Sequence, residues 1–425
     1  MDITNTDNKL IQITEIILTA TAVNGNPSLD INDIPVPMRK MFSPDDTGII
    51  SRPITIKDEI LKIYYPDLNA TDLVKDSSYI TKNDMGQFSI TTFGPALTWY
   101  LKQVGSDKIM ENPALTLSLE TSGVTGVSYT KSRSQIPLFE DTSVALSGKI
   151  DALINKSEKY REAIDLVVTY APDQIEFSLD DLVCTQDQLD IVNKIHTSLK
   201  NREFLRNHRI YEIGRILLVG PPGTGKTSFA LAMSRSVHMP VLEVRLSMLT
   251  SQYLGETSKN IDRIFDLAKQ IAPCILFIDE FDYIAKTRVS DDNGTMKRAV
   301  NTLLKSIDHI NLIKDQVLLI GATNYASMLD EAAWRRFDEV ISFTLPDVQM
   351  REKILQHIAS GIPCTMNFKT LAEKTEGFSG ADLRMMLTES IVSALLSNRK
   401  EINESDISSG IDLVNHRNSI RHSYT

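Results

Sequence analysis

Residues Gly220 to Thr227 read GPPGTGKT, after the apolar run RILLV and before the helical run SFALAMSRSV. Glycines at this spacing let successive backbone N–H groups wrap a chain of phosphates, and the opening helix adds its dipole. The lysine of such a loop reaches the outer phosphates and the following hydroxyl holds Mg2+. Those are the candidate roles of Lys226 and Thr227, with Pro222, Gly223, Thr224, Gly225 and Ser228 as further nucleotide contacts. A second apolar run, CILFIDE, ends in Asp279 and Glu280. One carboxylate at a strand end can hold Mg2+ through water and its neighbour can activate an attacking water; Asp279 takes the first role and Glu280 the second. A third run, LLIGATN, ends in Asn324, placed to orient that water or read the terminal phosphate, although asparagine is also a common turn residue. Finally, WRRFDEV sets Arg335 and Arg336 between Trp334 and Phe337. Arginines are costly to bury unless paired. The plainer partners are the nearby acids Asp330, Glu331 and Asp338.

These groups need a framework, and from about residue 177 the chain supplies one. The apolar runs RILLVG, MPVLEVRL, CILFIDE, QVLLIGAT and EVISFTL alternate with helical segments. Ile261, Ile264, Phe265 and Ala268 follow helical spacing, as do Val300, Leu303, Leu304 and Ile307. Near-continuous apolar strands alternating with helices predict a parallel sheet covered on both faces. After Pro346 the strands stop, and VQMREKILQHIAS, FKTLAEKTEGFSGADLRMMLTESIVSALLS and ESDISSGIDLVNHR predict a small helical domain. The expected domains are 1–175, 176–346 and 347–425. The first carries no readable motif and reads as mixed α/β: a short helix at TFGPALTWYLKQV, a half-buried strand at ALTLSLET from its alternating Leu115, Leu117 and Leu119, and a helix over SVALSGKIDALINKSEKYREAIDLVV leading to a linker.

Composition limits the function classes. The chain has 425 residues, 42% hydrophobic and 24% charged, which suits a globular protein of two or three domains. A net charge of -10 argues against broad contact with nucleic-acid phosphates. Cys184, Cys274 and Cys364 show no CxxC spacing, which fits a reducing compartment. The start lacks a signal-peptide pattern, and the best membrane candidate, IQITEIILTATAV, is short and carries Glu15. A cytoplasmic protein without a membrane span is expected.

Taken in order, GPPGTGKT, YLGET, FIDEFD, GATN, RRFDEV, LPD and GFSGADL make the chain from about 177 to about 415 resemble the AAA family of ATPases. Collinearity is more specific than any one motif. The resemblance implies a P-loop NTPase (RecA-like) parallel sheet with a C-terminal helical lid, preceded here by the mixed α/β domain. It implies ATP and Mg2+ between sheet and lid, and a homo-oligomeric ring, usually of six. Asn324 then matches the sensor-1 position, Asp181, Leu182 and Val183 match the segment lining the adenine, and Gly380-Ala381 match the small residues of the lid's sensor-2 position. Tyr253-Leu254-Gly255 match the aromatic–hydrophobic–glycine triplet that grips an extended polypeptide in the central pore, where an aromatic ring packs without needing a particular sequence. SDDNGTMK, at 290 to 297, would be a second pore loop. Arg335 and Arg336 match fingers that reach the next subunit's nucleotide.

The pattern also departs from the family. The glycine usual between the finger arginines is absent, so WRRF resembles the severing and membrane-complex-disassembling branch and some bacterial single-ring members. There is one ATPase module, no H-E-x-x-H to suggest the membrane-protease branch, and no recognisable microtubule- or ESCRT-binding module before it. The expected function is an ATP-hydrolysing motor that remodels or unfolds protein substrates by threading, with residues 1–175 selecting a substrate or adaptor. The alternative is a nucleotide-gated scaffold that threads nothing; a nucleic-acid motor is disfavoured by the charge and the pore triplet.

Overall fold

Each apolar run of the ATPase-like region is a strand: β5 is Arg215–Val219, β6 Val241–Val244, β7 Cys274–Ile278, β8 Val317–Thr323 and β9 Glu339–Ser342. The computed structural model describes residues 5–45, 47–64, 77–244, 257–281, 294–329, 331–362 and 367–423. The chain divides into two compact units, Met1–Gly148 and Lys149–Thr425.

In the second unit the sheet has six strands in the order β4-β6-β7-β8-β5-β9, where β4 is Val167–Tyr170. The five strands from β5 to β9 run parallel, and β4 pairs antiparallel with β6. Every residue of β7 and β8 is buried, as expected for central strands covered on both faces. The helices that cover them bury the predicted stripes. On Thr257–Ile271, Ile261, Ile264, Phe265 and Ala268 face inward, and on Gly294–Asp308, Val300, Leu303, Leu304 and Ile307 do. Four helices follow β9: Val348–Ile358, Phe368–Lys374, Gly380–Leu396 and Glu404–Ser423. They enclose their own core around Leu355, Leu371, Leu383, Met386 and Leu387.

One expectation changes in and before this unit. The segment read as helix and linker is a helix over Ser143–Lys156, a second over Glu158–Ile164, and then β4. Ser157 breaks the helix with extended φ/ψ, and the β-branched pair Val167-Val168 joins β6. The contact division therefore falls at 148/149, and residues 149–175 lie in the unit that carries the sheet. There Lys159 pairs with Asp266 at 2.6 Å and Glu162 with Arg263 at 2.5 Å, fastening Glu158–Ile164 to Thr257–Ile271.

The first unit is a helical assembly with a small antiparallel sheet in the order β1-β3-β2: β1 is Ile56–Lys57, β2 Ile80–Lys82 and β3 Gln87–Ile90. Its core gathers Ile13, Ile16 and Ile17 of helix Asn5–Gly25 with Leu97 and Tyr100 of helix Phe93–Ile109. ALTLSLET is not a strand but most of a helix, Pro113–Thr121. Asn112 caps it by accepting from the Leu115 N–H, and Pro113 takes the first-turn position where a missing N–H costs nothing. Leu115 and Leu119 stand one turn apart and are both buried, so spacing that mimicked strand alternation is a helix face. The membrane candidate lies within Asn5–Gly25, where Glu15 is buried and accepts from Asn112 Nδ2 at 3.1 Å. Among the described residues no helix is long and apolar enough to cross a membrane.

Candidate active site

The phosphate-loop candidate joins β5 to the helix Lys226–Val237. Gly225 takes φ +96° just before the helix, a left-handed conformation that glycine adopts without strain. Gly220 lies so close to the segment after β9 that a Cβ there would stand 1.9 Å from the Phe343 carbonyl oxygen. Gly223 touches the helical domain instead: it has φ +80°, and a Cβ would meet Ser379 Oγ at 2.7 Å. The Ala381 N–H donates to the Gly223 carbonyl at 3.1 Å, so the loop and the start of Gly380–Leu396 are hydrogen-bonded. Lys226 is buried, and its ammonium donates to the Gly220 and Pro221 carbonyls at 2.7 and 2.8 Å.

Facing the loop is the end of β7. Thr227 Oγ1 donates to Asp279 Oδ2 at 2.9 Å, and the Glu280 N–H donates to Asp279 Oδ1 at 2.7 Å. Glu280 has φ +51°, an unfavourable conformation for a glutamate that turns the chain sharply after the strand. Phe281 follows, packed edge-on against Phe337 with ring centroids 5.4 Å apart.

A cavity of about 450 Å3 collects these groups, well within the range of small-molecule sites. Its walls hold the whole of Pro222–Ser228 together with Asp279, Glu280 and Asn324. Asp181, Leu182 and Val183 line it from one side, Gly380 and Ala381 from the helical domain. Asp181 does not offer a free carboxylate. Hydrogen bonds from the Ser178 N–H and hydroxyl hold that carboxyl below its ordinary range, and its carbonyl meets His357 Nδ1 at 3.2 Å. Gln188, Phe343, Met350, Ile354, His357 and Arg384 also line the cavity. Only folding brings them there, although Thr185-x-x-Gln188 was visible as a capping box at the start of helix Gln186–Lys200.

The donor set suits Mg2+, which prefers oxygen ligands and takes one or two carboxylates beside nucleotide phosphates and water. Thr227 and Asp279 are the hydroxyl and carboxylate within reach of one another. Among the described residues no cluster of three or more His, Cys, Asp or Glu could hold a metal by itself.

Arg335 and Arg336 do not line this cavity. Arg335 is 72% exposed and pairs with Glu331 one turn back. Arg336 is held more firmly: Nη2 lies 3.4 Å from Asp308, and Nη1 donates to the Ala332 carbonyl at 2.5 Å. Asp338 serves Arg215 instead, with Oδ1 2.6 Å from Nη2, and so ties the strand starts of β5 and β9 together. Phe337 is the buried anchor of the turn. Asp330, the triplet Tyr253-Leu254-Gly255 and positions 290–293 lie outside the described residues.

Sheet order, loop, strand-end carboxylates and helical domain together define a P-loop nucleotide-binding ATPase. Sequence comparison gives the family. Residues 216–345 match the ATPase family associated with various cellular activities (AAA), and residues 366–409 match the AAA+ lid domain. The AAA family ATPase y4kL of Sinorhizobium fredii is 34% identical over 247 residues, covering 57% of this chain and 72% of that one. The ATP-dependent zinc metalloprotease FtsH of Bacillus subtilis is 36% identical over 225 residues, 50% of this chain and 35% of its own. A putative 26S proteasome regulatory subunit homologue of Methanocaldococcus jannaschii is 35% identical over 215 residues, 49% of this chain and 58% of its own. The chain belongs to the AAA family, binds nucleotide and is an ATPase. The last two relatives are matched over less than two thirds of their length, so the likeness to them is a likeness of the ATPase module.

Proposed function

We propose that the protein is an ATP-driven motor that works as a ring of identical subunits, six by the family's usual number, and acts on protein substrates. One observation carries the reading: Lys226, Thr227, Asp279, Glu280 and Asn324 converge on one cavity, whereas Arg335 and Arg336 stay out of it. ATP would seat with its phosphates on Pro222–Ser228 and its base toward Asp181–Val183. Mg2+, held by Thr227 and Asp279, would supply charge neutralisation at the phosphates. Glu280 takes a proton from water as the water oxygen bonds to the γ-phosphorus, and the bond to the ADP oxygen breaks, leaving ADP and phosphate. Asn324 orients that water. Arg335 and Arg336 would neutralise charge developing at the site of an adjacent copy, a contribution of ~10³–10⁵ in rate where it has been dissected. The Arg335–Glu331 pair is an exposed ion pair, worth about 0–1 kcal/mol, and yields readily to a stronger anion, whereas Arg336 is partly buried and would have to leave both Asp308 and the Ala332 carbonyl.

Protein substrates are supported by two relatives whose names concern proteolysis, a metalloprotease and a proteasome regulatory subunit homologue. The test of threading is Tyr253→Ala. A threading motor keeps basal ATPase and loses substrate processing; unchanged processing would favour the nucleotide-gated scaffold.

A further inference from the structure

Arg215 opens β5 with a side chain that none of the roles above uses. Its guanidinium forks onto a single carboxylate: Nη2 donates to Asp338 Oδ1 at 2.6 Å and Nε to Asp338 Oδ2 at 3.2 Å. The backbones add a reciprocal pair. The Arg215 N–H donates to Asp338 Oδ2 at 3.1 Å, and the Asp338 N–H donates to the Arg215 carbonyl at 2.8 Å. The two side chains are 18% and 8% exposed. A two-pronged arginine–carboxylate contact, largely withdrawn from water, fixes direction as well as distance.

What the fork holds is the end of the arginine turn. β9 is four residues long and stands at the edge of the sheet, with β5 as its neighbour. A short edge strand has one ladder where a central strand has two, and it opens more easily. Its pairing with β5 begins at Ile216 opposite Glu339, so Arg215 and Asp338 close the ladder at the end where the turn enters. Asp338 is two residues beyond Arg336, a span of at most about 7 Å of chain, so a shift of Asp338 reaches the arginine pair. On the apolar side, Phe337 packs on Phe281 and over Gly321, where a Cβ would stand 3.0 Å from its ring. Apolar contact sets the depth of this anchor but is not directional; the fork supplies the direction. Resting on the reading that Arg335 and Arg336 act at the site of an adjacent copy, we propose that Arg215 is a positioning residue for that pair. Its grip on Asp338 sets the direction in which the arginine turn leaves the subunit, so removing it lowers hydrolysis in the neighbour's site and not in its own.

The test measures ATP affinity and ATPase rate in full-length subunits, alone and mixed. Arg215→Ala should bind ATP with near wild-type affinity while kcat falls by roughly tenfold to a hundredfold, the scale of a misplaced catalytic group. Arg215→Lys keeps the charge but not the fork and should lie between the two; it carries the test if Arg215→Ala does not assemble. Glu280→Gln subunits have silent sites of their own but intact arginine turns, so mixing them in should raise the rate of Arg215→Ala. In a head-to-tail ring mixed one to one, about one site in four has both an intact base and an intact neighbouring turn, so the rate should approach about a quarter of wild type. The control is Arg335→Ala, Arg336→Ala in place of Arg215→Ala, which should be rescued in the same way. Wild-type kcat in Arg215→Ala would overturn the inference. So would a low rate that Glu280→Gln subunits fail to raise while the control is rescued, because the fork would then serve its own site or the fold alone. A control that is not rescued would instead overturn the reading that the pair acts across subunits, and the inference with it.

Discussion

At the residue scale the site separates tasks by position. Thr227 and Asp279 are locked to each other at 2.9 Å, while Glu280, one residue on, is exposed, has a left-handed backbone and lines the same cavity. A carboxylate spent on a hydroxyl is poorly placed to take a proton, and its neighbour is the better base. Glu280→Gln keeps the size of the side chain and removes its basicity, so ATP binding should persist while turnover falls ~10²–10⁴-fold. Equilibrium binding and steady-state phosphate release on the same preparation measure the two effects. The residues of this paragraph were legible in sequence because phosphate chemistry fixes their types and local spacing. Arg384 and His357 were not. Each sits in a helix whose sequence signals only packing, and the placement of that helix brings it to the cavity wall.

At the scale of elements, the lid depends on small contacts. Gly223 meets Ser379 and Ala381, and its φ of +80° disfavours any side chain. Gly223→Ala should cost about 1 kcal/mol from backbone conformation alone, and more as its methyl pushes on Ser379. The expected outcome is lower thermal stability with weaker ATP binding, read by melting curves with and without nucleotide. Within the lid, Asp406 accepts from Arg399 and from the Asn403 N–H, and these contacts, the Arg399 bond first, hold its carboxyl well below the ordinary range. A carboxyl depressed in the folded state stabilises above its unfolded pKa of about 3.9 and loses that contribution as pH falls below it. The melting-temperature gap between wild type and Asp406→Asn should therefore be open at neutral pH and narrow progressively as pH falls below about 4. The parallel strands and their covering helices were legible from uninterrupted apolar runs. The helix at Pro113–Thr121 was not, because three leucines two apart satisfy a strand, and the decisive signal was the Asn-Pro cap before them. β4 was hidden similarly: VVTY follows a helical run directly, and only its partner β6 makes it a strand.

At the scale of the whole molecule, the central claim is that the hydrolytic site is finished by another copy. Every other catalytic candidate lines the chain's own cavity, and the arginine pair does not. Phe337 fixes the arginine turn by packing on Phe281, next to Glu280 in the chain. The turn proposed to serve a neighbour is thus built against the strand end that carries the proposed base. Nothing in the sequence alone separates an arginine that pairs within its subunit from one that reaches outward; the structure adds that Arg335 is 72% exposed and held by one surface pair. The most direct measurement is ATPase rate per subunit against protein concentration, in wild type and in wild type titrated with Arg335→Ala, Arg336→Ala subunits. The account predicts a rate that rises steeply with concentration and falls more than in proportion as the variant is mixed in. A full rate that is independent of concentration, and that the variant merely dilutes, would contradict it.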